Sequence, residues 1–498
     1  MDFQVFIFCG KGYNLFPFTQ RKDDSGAPKA LLPIANRHMI EYVLDWCDQG
    51  GFKEINVLGE ATDVAMIKER LRTYINVRES QYEILLKSIQ AHHVQQVRKP
   101  APINFIVTKG ETTGEVLCND LRDRITGDFV VLPCDFITDI PPQILIDQYR
   151  NKDSDNLAMA VYYRNGFQNI DKKHLKPSYI VYSENENSMK QPVLLDMYSG
   201  DDVERSKYLQ IRTQLLWRYP NASVSKKLLD SFIYVCSYDI IKLISENENP
   251  RFPPGGESED SDEETQNATQ QSLVIKPSYF NKKNKLIRDS INVDKSLDKV
   301  IRDLARRSWR HAKLRETIGL FVLPAGGAFI RSNSLTAYTE ANRYILRIKS
   351  SVMQSQQITG TNIGADSIVG PNCIVGERTS VKLSVLGRDT KIGKRCRIVG
   401  SVVLDGAIID DESILENVIV GPATQIGKKS RLTNSYIEGS YIVSPKTVLK
   451  GETLTHIHLD EILTSEEMTD STDDDESSGY TEEYVDDDEF EDDGLFER

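Results

Sequence analysis

The chain has 498 residues, of which 39% are hydrophobic and 27% are charged. This length and composition suit more than one folded domain, and the lack of a long apolar run argues against a membrane span. The seven cysteines include no C-x-x-C pair, which argues against a disulfide framework or a zinc site and favours a reducing compartment. We therefore expect a cytosolic protein.

The net charge of −13 is unevenly distributed along the chain. Residues 460–498 contain nineteen acidic residues and one basic residue, so this segment has a net charge of −18 and the other residues have a net charge of +5. We predict that residues 456–498 form a disordered acidic tail. Such a tail would compete with phosphate groups for basic surface, so we expect no direct binding of nucleic acid.

Short apolar runs alternate with helical patterns through the first third of the chain. The predicted strands lie at residues 5–8, 54–59, 103–107, 128–136 and 157–163, and the predicted helices lie at residues 38–51 and 115–125. Alternation of this kind is typical of an α/β fold with a Rossmann-like, mostly parallel sheet that helices cover on both faces.

An acidic, Ser- and Gly-rich stretch at residues 253–272 interrupts this pattern, and we predict that it is a disordered insertion. The fold is expected to resume with a basic amphipathic helix at residues 296–309, followed by a hairpin at residues 317–331. The first domain is therefore predicted to span residues 1–350, with the insertion inside it.

A six-residue period replaces the earlier pattern from about residue 358. The aliphatic residues that follow it are Ile363, Val369, Val375, Val381, then after a five-residue step Leu386, Ile392, Ile398, and later Ile408, Ile414, Val420, Ile426 and Leu432. A hexapeptide repeat predicts a left-handed parallel β-helix, here over residues 358–455, with each of these aliphatic side chains pointing inward.

Three stretches of the first domain resemble a family of enzymes. Residues 10–19 read GKGYNLFPFT, residues 28–45 read PKALLPIANRHMIEYVLD, and residues 130–135 read VVLPCD. They are similar to nucleotidyltransferases that join a sugar phosphate to a nucleoside, in which a loop G-x-G-T-R-L-x-P-L-T precedes a Pro-Lys pair and a strand ending in Gly-Asp. The resemblance implies that glycines admit a triphosphate, that an arginine and a lysine neutralise its charge, and that two carboxylates hold Mg²⁺.

The resemblance places a nucleotide pocket at Gly10, Gly12, Asn14, Lys29, Asp135 and Ser237. Asn14 stands where the family has the loop arginine, and Tyr13 stands where a threonine is usual. Residues 232–237 read FIYVCS, so Ser237 replaces the second metal ligand of the motif G-[LI]-Y-x-x-D. With one cation and one metal ligand missing, we interpret the pocket as vestigial, with no catalytic residue and no bound metal. Lys29 and Asp135 are equally compatible with a purely structural role.

A degenerate nucleotidyltransferase domain followed by a β-helix and an acidic tail is similar to the gamma and epsilon subunits of eukaryotic translation initiation factor 2B. That factor is the guanine-nucleotide exchange factor for initiation factor 2. The stretches FIFCGKGYNLFPFTQ, PKALLPIANRHMIEYVLDWCDQ and YVDDDEFEDDGLFER look like the fungal gamma subunits. Epsilon subunits add a helical domain that performs exchange, and the polar residues after Val448 are too few to form one.

The resemblance therefore implies a non-catalytic, regulatory subunit that pairs with the epsilon subunit. The pair would dock on a core of alpha, beta and delta subunits and contact initiation factor 2, without a membrane and without a cofactor, although residual nucleotide binding stays open. One alternative is an active sugar-nucleotide pyrophosphorylase, which would have to tolerate Asn14 and Ser237. Another is an acyltransferase built on the β-helix, but its usual histidine base has no candidate within residues 312–455.

Overall fold

The computed structural model describes residues 3–19, 26–92, 99–167, 169–170, 178–183, 191–209, 211, 213–248, 295–309, 316–352 and 362–456. Residues up to Leu454 form one compact unit, and nearly all of the unit that begins at Thr455 lies outside the described residues. The predicted insertion at residues 253–272 and all but the first residue of the predicted tail also lie outside them.

The described residues of the amino-terminal part contain fourteen strands, ten of which form one sheet. The strands are β1 (Gln4–Phe8), β2 (Pro33–Ile34), β3 (Arg37–His38), β4 (Glu54–Gly59), β5 (Ile103–Val107), β6 (Phe129–Pro133), β7 (Phe136–Thr138), β8 (Asn156–Tyr163), β9 (Ser178–Ser183), β10 (Val193–Ser199), β11 (Ala222–Ser225), β12 (Leu229–Cys236), β13 (Thr317–Val322) and β14 (Phe329–Arg331). The helices are α1 (Met39–Gly50), α2 (Ala61–Arg70), α3 (Arg72–His92), α4 (Thr113–Glu115), α5 (Pro142–Arg150), α6 (Gly200–Ser206), α7 (Thr213–Arg218), α8 (Asp239–Glu248), α9 (Leu297–Ala305) and α10 (Leu335–Val352).

The large sheet has the order β11-β9-β10-β13-β8-β12-β6-β1-β4-β5. All of its strands except β10, β11 and β12 run in the same direction, so the predicted mostly parallel sheet is confirmed. Alternate residues of β1 enter different cores, with Val5 and Ile7 on one face and Phe6 and Phe8 on the other. Burial on both faces explains why β1 reads as a continuous apolar run.

Most predicted elements of this part match observed ones, and two do not. The helix predicted at residues 115–125 is much shorter, since α4 ends at Glu115 and a single π-helical turn, Val116–Asp120, follows it. The hairpin predicted at residues 317–331 is wrong. Strand β13 lies between β8 and β10 in the large sheet, whereas β14 pairs with β7. The apolar run of β13 is better buried at the centre of a sheet than in an isolated hairpin.

Residues 362–454 form a parallel β-helix of three sheets, as the hexapeptide repeat predicts. Its strands are β15 (Asn362–Ile363), β16 (Ile368–Val369), β17 (Ile374–Val375), β18 (Ser380–Lys382), β19 (Val385–Leu386), β20 (Lys391–Ile392), β21 (Arg397–Val399), β22 (Val402–Val403), β23 (Ile408–Ile409), β24 (Ile414–Glu416), β25 (Ile419–Val420), β26 (Gln425–Ile426), β27 (Arg431–Thr433), β28 (Tyr436–Ile437), β29 (Ile442–Val443), β30 (Val448–Lys450) and β31 (Thr453–Leu454). Each strand pairs with the third strand after it, and the left-handed sense of the coil stays a prediction.

The inward register of the β-helix differs from the prediction at two positions. Ile409 and Leu415 are buried in its core, whereas the predicted Ile408 and Ile414 point outward and are only partly buried. The paired residues Ile398 and Leu415 are seventeen apart, so one coil contains two six-residue steps and one five-residue step. The predicted positions lie six and twelve residues before Val420 and omit the five-residue step from Leu415 to Val420. They are therefore displaced by one residue, which exchanges the two faces of a strand.

The β-helix packs directly against the α/β part of the same compact unit. The outer face of one of its sheets is apolar, and its residues Val385, Val402 and Ile419 share a core with Ile345 and Leu346 of α10. Polar contacts cross the same interface, since the Asn36 side-chain amide donates to the Leu386 carbonyl at 2.7 Å and the Arg343 guanidinium donates to Asn417 Oδ1 at 2.7 Å. The β-helix is thereby held in one orientation.

Candidate functional site

The glycine loop leaves the carboxyl end of β1, at the centre of the large sheet. Gly12 has a φ of 77°, a left-handed conformation that few other residues adopt. A β-carbon at Gly12 would also lie 2.9 Å from Cβ of Lys29, so both conformation and space require glycine there. Tyr13, which follows it, is 77% exposed and therefore does not fill the pocket.

Lys29 is buried against the loop and has two partners. Its ammonium donates to Asp135 Oδ2 at 2.5 Å and to Asn333 Oδ1 at 2.6 Å. Asp135 is fully buried and follows β6, the parallel neighbour of β1, so the sheet itself brings the loop and the carboxylate to one edge. The sequence prediction that Gly12, Lys29 and Asp135 lie together agrees with this arrangement.

Arg331 is a second cation on the same carboxylate. Its Nε lies 3.3 Å from Asp135 Oδ1, and β14 delivers it there by pairing Arg331 with Phe136. Burial acts to raise the pKa of Asp135, but Arg331 and Lys29 outweigh burial and lower that pKa to about 2. Burial also acts to lower the pKa of Arg331, and Asp135 and Asp230 reverse this and raise it. Asp135 and Arg331 in this cluster therefore stay ionised.

Asp230 is a second carboxylate at this edge that sequence reasoning did not identify. Strand β12 runs antiparallel to β6, so its first residues, not its last, lie beside the carboxyl end of β6. Asp230 accepts hydrogen bonds from the Phe232 backbone N–H at 2.9 Å and from the Tyr234 hydroxyl at 2.8 Å. Burial raises the pKa of Asp230, and the charge of Arg331 only partly opposes this rise.

Phe232 occupies the position where the family motif has glycine. Its φ is 57°, so this phenylalanine adopts a conformation that favours glycine. Its ring contacts Phe8 at a centroid distance of 6.1 Å, and the Arg331 guanidinium lies 5.5 Å from its centroid. The aromatic ring thus helps to hold Arg331 beside Asp135.

A cleft of about 410 Å³ opens beside this cluster. Its lining comes from both parts of the unit and consists of Asn14, Tyr163, Ser178, Leu229, Asp230, Arg331, Asn333, Ser334, Leu335, Thr336 and Tyr436. Asn14 of the glycine loop therefore lines the cleft. Tyr436 belongs to the β-helix, so the β-helix forms part of the wall of the cleft.

The structure places the predicted site residue Ser237 elsewhere. Ser237 follows the last residue of β12, and Cys236 pairs with Phe129 at the amino end of β6, the edge opposite Asp135. Gly10, Gly12, Asn14, Lys29 and Asp135 are thus brought to one edge, and Ser237 is not. The family motif located the correct strand, but the antiparallel direction of β12 puts its end on the wrong side.

The residues at this edge do not fit the Mg²⁺ ion that the family resemblance implies. Magnesium requires several oxygen ligands that are free to coordinate it. Both oxygens of Asp135 contact cationic side chains, and both oxygens of Asp230 accept hydrogen bonds. Within the described ranges, no group of three or more acidic, histidine or cysteine residues is arranged to hold a metal.

The low pKa of Asp135 predicts a specific pH dependence of stability. A carboxyl group whose pKa falls from 3.8 to about 2 on folding stabilises the folded state above the unfolded pKa and loses that effect as pH falls through about 2. The shift corresponds to about 2 kcal/mol. We expect the stability difference between the wild type and Asp135→Asn, measured by urea unfolding, to shrink by this amount between about pH 5 and pH 2. A difference that is constant over this range would contradict the ion pairs.

Comparison with known proteins identifies similar chains. The family described as the GMPPB C-terminal domain matches residues 358–468, which include the β-helix. Translation initiation factor eIF2B subunit gamma of Schizosaccharomyces pombe is 24% identical over 392 residues, which is 77% of this chain and 73% of that protein. The gamma subunit of Dictyostelium discoideum is 22% identical over 408 residues, 74% of this chain and 84% of that protein.

The chain resembles the gamma subunits of translation initiation factor eIF2B. This similarity confirms the resemblance predicted from the glycine loop and the hexapeptide repeat. The eIF2B subunit epsilon of S. pombe is also similar, at 23% identity over 243 residues, 47% of this chain and 31% of that protein. Among the helices that the structure describes, none has the length and apolar character needed to cross a membrane.

Proposed function

We propose that this chain is a non-catalytic, regulatory subunit of the guanine-nucleotide exchange factor for initiation factor 2. The observation that carries the proposal is its similarity to two eIF2B gamma subunits over about three quarters of its length. The site supports the same proposal, because Lys29 and Arg331 occupy the carboxylate that an active nucleotidyltransferase would offer to a metal. Such a chain acts in the cytosol, where translation takes place.

The epsilon subunit is the first partner in this proposal. Similarity to an epsilon subunit extends over 47% of this chain, and related chains can meet through related surfaces, as subunits of symmetric dimers do. The pair would dock on the core of alpha, beta and delta subunits and would contact initiation factor 2. Neither a membrane nor nucleic acid takes part.

A non-catalytic subunit can contribute by holding its partners in a fixed relative geometry. The apolar interface between α10 and the β-helix, together with the hydrogen bonds from Asn36 and Arg343 to the β-helix, joins the two parts into one body. A rigid body that holds two partners has already lost part of the entropy that their encounter would otherwise cost. The chain can therefore promote exchange on a partner without a reacting group of its own.

A direct test of the non-catalytic part is a pyrophosphate assay. Purified protein with Mg²⁺, a nucleoside triphosphate and hexose-1-phosphates is expected to release no pyrophosphate above background, because Asp135 is held by two cations and Asn14 replaces the loop arginine. The same ligands in a thermal-shift titration report whether the cleft binds nucleotides without turnover. Sustained turnover that Asp135→Ala abolishes would support the alternative, an active sugar-nucleotide pyrophosphorylase.

A further inference from the structure

We propose that Cys9 and Cys134 are an oxidation site, at which a peroxide converts two thiols into a reversible disulfide at the base of the glycine loop. Neither residue takes part in the cation–carboxylate cluster described above. Both are free thiols in the structure, and each directly follows a central strand of the large sheet. The proposal is independent of the proposed function.

The geometry of adjacent parallel strands brings the two residues together. Phe8 of β1 pairs with Pro133 of β6, so Cys9 and Cys134 form the next pair in the same register. The Cys134 backbone N–H donates to the Phe8 carbonyl at 3.3 Å, which keeps the strands adjacent at this point. Neighbouring strands are about 4.8 Å apart, within the roughly 4.4–6.8 Å that a disulfide allows between α-carbons.

The two side chains also point to the same side. Cys9 packs against the core that contains Val5, Ile7 and Cys134, as alternation along parallel strands in register requires. The interaction of the two side chains raises the pKa of the Cys9 thiol and lowers that of the Cys134 thiol, which favours Cys134 as the nucleophile that closes the disulfide. Forming the sulfur–sulfur bond therefore requires no change of strand register and no movement of the backbone by a full residue.

A small oxidant can reach one of the two thiols. Cys134 is buried, whereas Cys9 is partly exposed and lies next to Gly10. A β-carbon placed on Gly10 would meet no atom within 4 Å, so space is open directly beside Cys9. In contrast, Cys47 and Cys236 are buried, and they serve as internal comparisons.

The chemistry balances with hydrogen peroxide as the oxidant. The Cys9 sulfur attacks one peroxide oxygen, the O–O bond breaks, and a sulfenic acid and one water form. The Cys134 sulfur then attacks the sulfenic sulfur, the S–O bond breaks, and a second water leaves with the thiol proton. Two thiols lose two electrons in total and peroxide gains them. A thiol reductant such as dithiothreitol reverses the reaction.

The disulfide would tie the glycine loop to the segment that carries the buried carboxylate. Cys9 immediately precedes Gly10, and Cys134 immediately precedes Asp135. Oxidation would thus restrain the base of the glycine loop covalently, in addition to the hydrogen bonds of Lys29. Oxidation of this pair would therefore change the mobility of the glycine loop at the edge of the sheet where the cleft opens.

Mass spectrometry of the full chain tests the proposal. Reduced protein is treated with hydrogen peroxide, alkylated, digested without reductant and analysed. The expected result is a pair of peptides joined through Cys9 and Cys134, with a mass two hydrogen atoms below the sum of the two reduced peptides. Dithiothreitol should separate the two peptides. Cys134→Ser should abolish the link and leave Cys9 as a sulfenic acid that dimedone labels, whereas Cys47→Ser should leave the link intact.

Two outcomes would overturn the proposal. In the first, Cys9 and Cys134 are still recovered entirely as alkylated thiols after treatment with peroxide concentrations that oxidise other cysteines of the chain. In the second, Cys9 proceeds to sulfinic acid in the wild type without any linked peptide. Because the wild-type protein supplies the decisive measurement, the test does not depend on whether a variant folds.

Discussion

Leu415→Asp is expected to destabilise the β-helix by roughly 4 kcal/mol or more. Leu415 is fully buried and lies between Ile398 and Leu432 of the neighbouring coils. An aspartate there would lose the apolar contacts of leucine and place an unpaired carboxylate in the core of the coil. Urea unfolding should detect the loss, and circular dichroism should reveal whether the coil still forms.

Ile414→Asp is the matched control, one residue away. Ile414 points outward between Arg397 and Arg431 of the adjacent coils, so an aspartate would face two cations and water. We expect this variant to remain within about 1 kcal/mol of the wild type. Equal losses for the two variants, or a larger loss for Ile414→Asp, would show that the inward register is assigned to the wrong residue.

Asp135→Asn is expected to lower the stability of the α/β part by roughly 3–5 kcal/mol, because it removes one partner of a buried ion pair. The side chain of Lys29 is only 8% exposed, and that of Arg331 is 18% exposed, so Lys29 would lose the buried carboxylate that it pairs with and Arg331 would keep only the charge of Asp230. Urea unfolding near neutral pH measures the loss.

A second substitution separates this structural role from a lost ligand site. Lys29→Met in the Asp135→Asn background removes one of the orphaned cations, so part of the lost stability should return, and the two substitutions should not be additive. By contrast, a residue that is retained for catalysis commonly lowers the stability of the fold, and its substitution then raises the free energy of unfolding. An Asp135→Asn variant as stable as the wild type, or more stable, would contradict the ion-pair interpretation.

Much of the fold can be predicted from local patterns in the sequence. The strand β1 is a short apolar run because both of its faces are buried, and the hexapeptide period follows from one inward residue per side of each coil. The hairpin at residues 317–331 could not be recognised as wrong, because β13 finds its partners β8 and β10 far away in the chain. Local patterns carry no information on such pairings.

Only the site residues that lie in contiguous sequence motifs could be predicted. The glycine loop, Lys29 and Asp135 lie in such motifs and come together in the structure. Arg331 contacts Asp135 across 196 positions of sequence, and no local signal announces that contact. Asp230 was missed for a similar reason, because its place beside Asp135 depends on the antiparallel pairing of β12 with β6, two strands far apart in the chain.

We propose that this chain promotes guanine-nucleotide exchange by the epsilon subunit without catalysing it. The most direct measurement is release of labelled GDP from initiation factor 2, with the epsilon subunit alone, with this chain alone, and with both. We predict no acceleration by this chain alone and faster release by the mixture than by the epsilon subunit alone. Acceleration by this chain without the epsilon subunit, or no stimulation despite a stable complex of the two, would contradict the account.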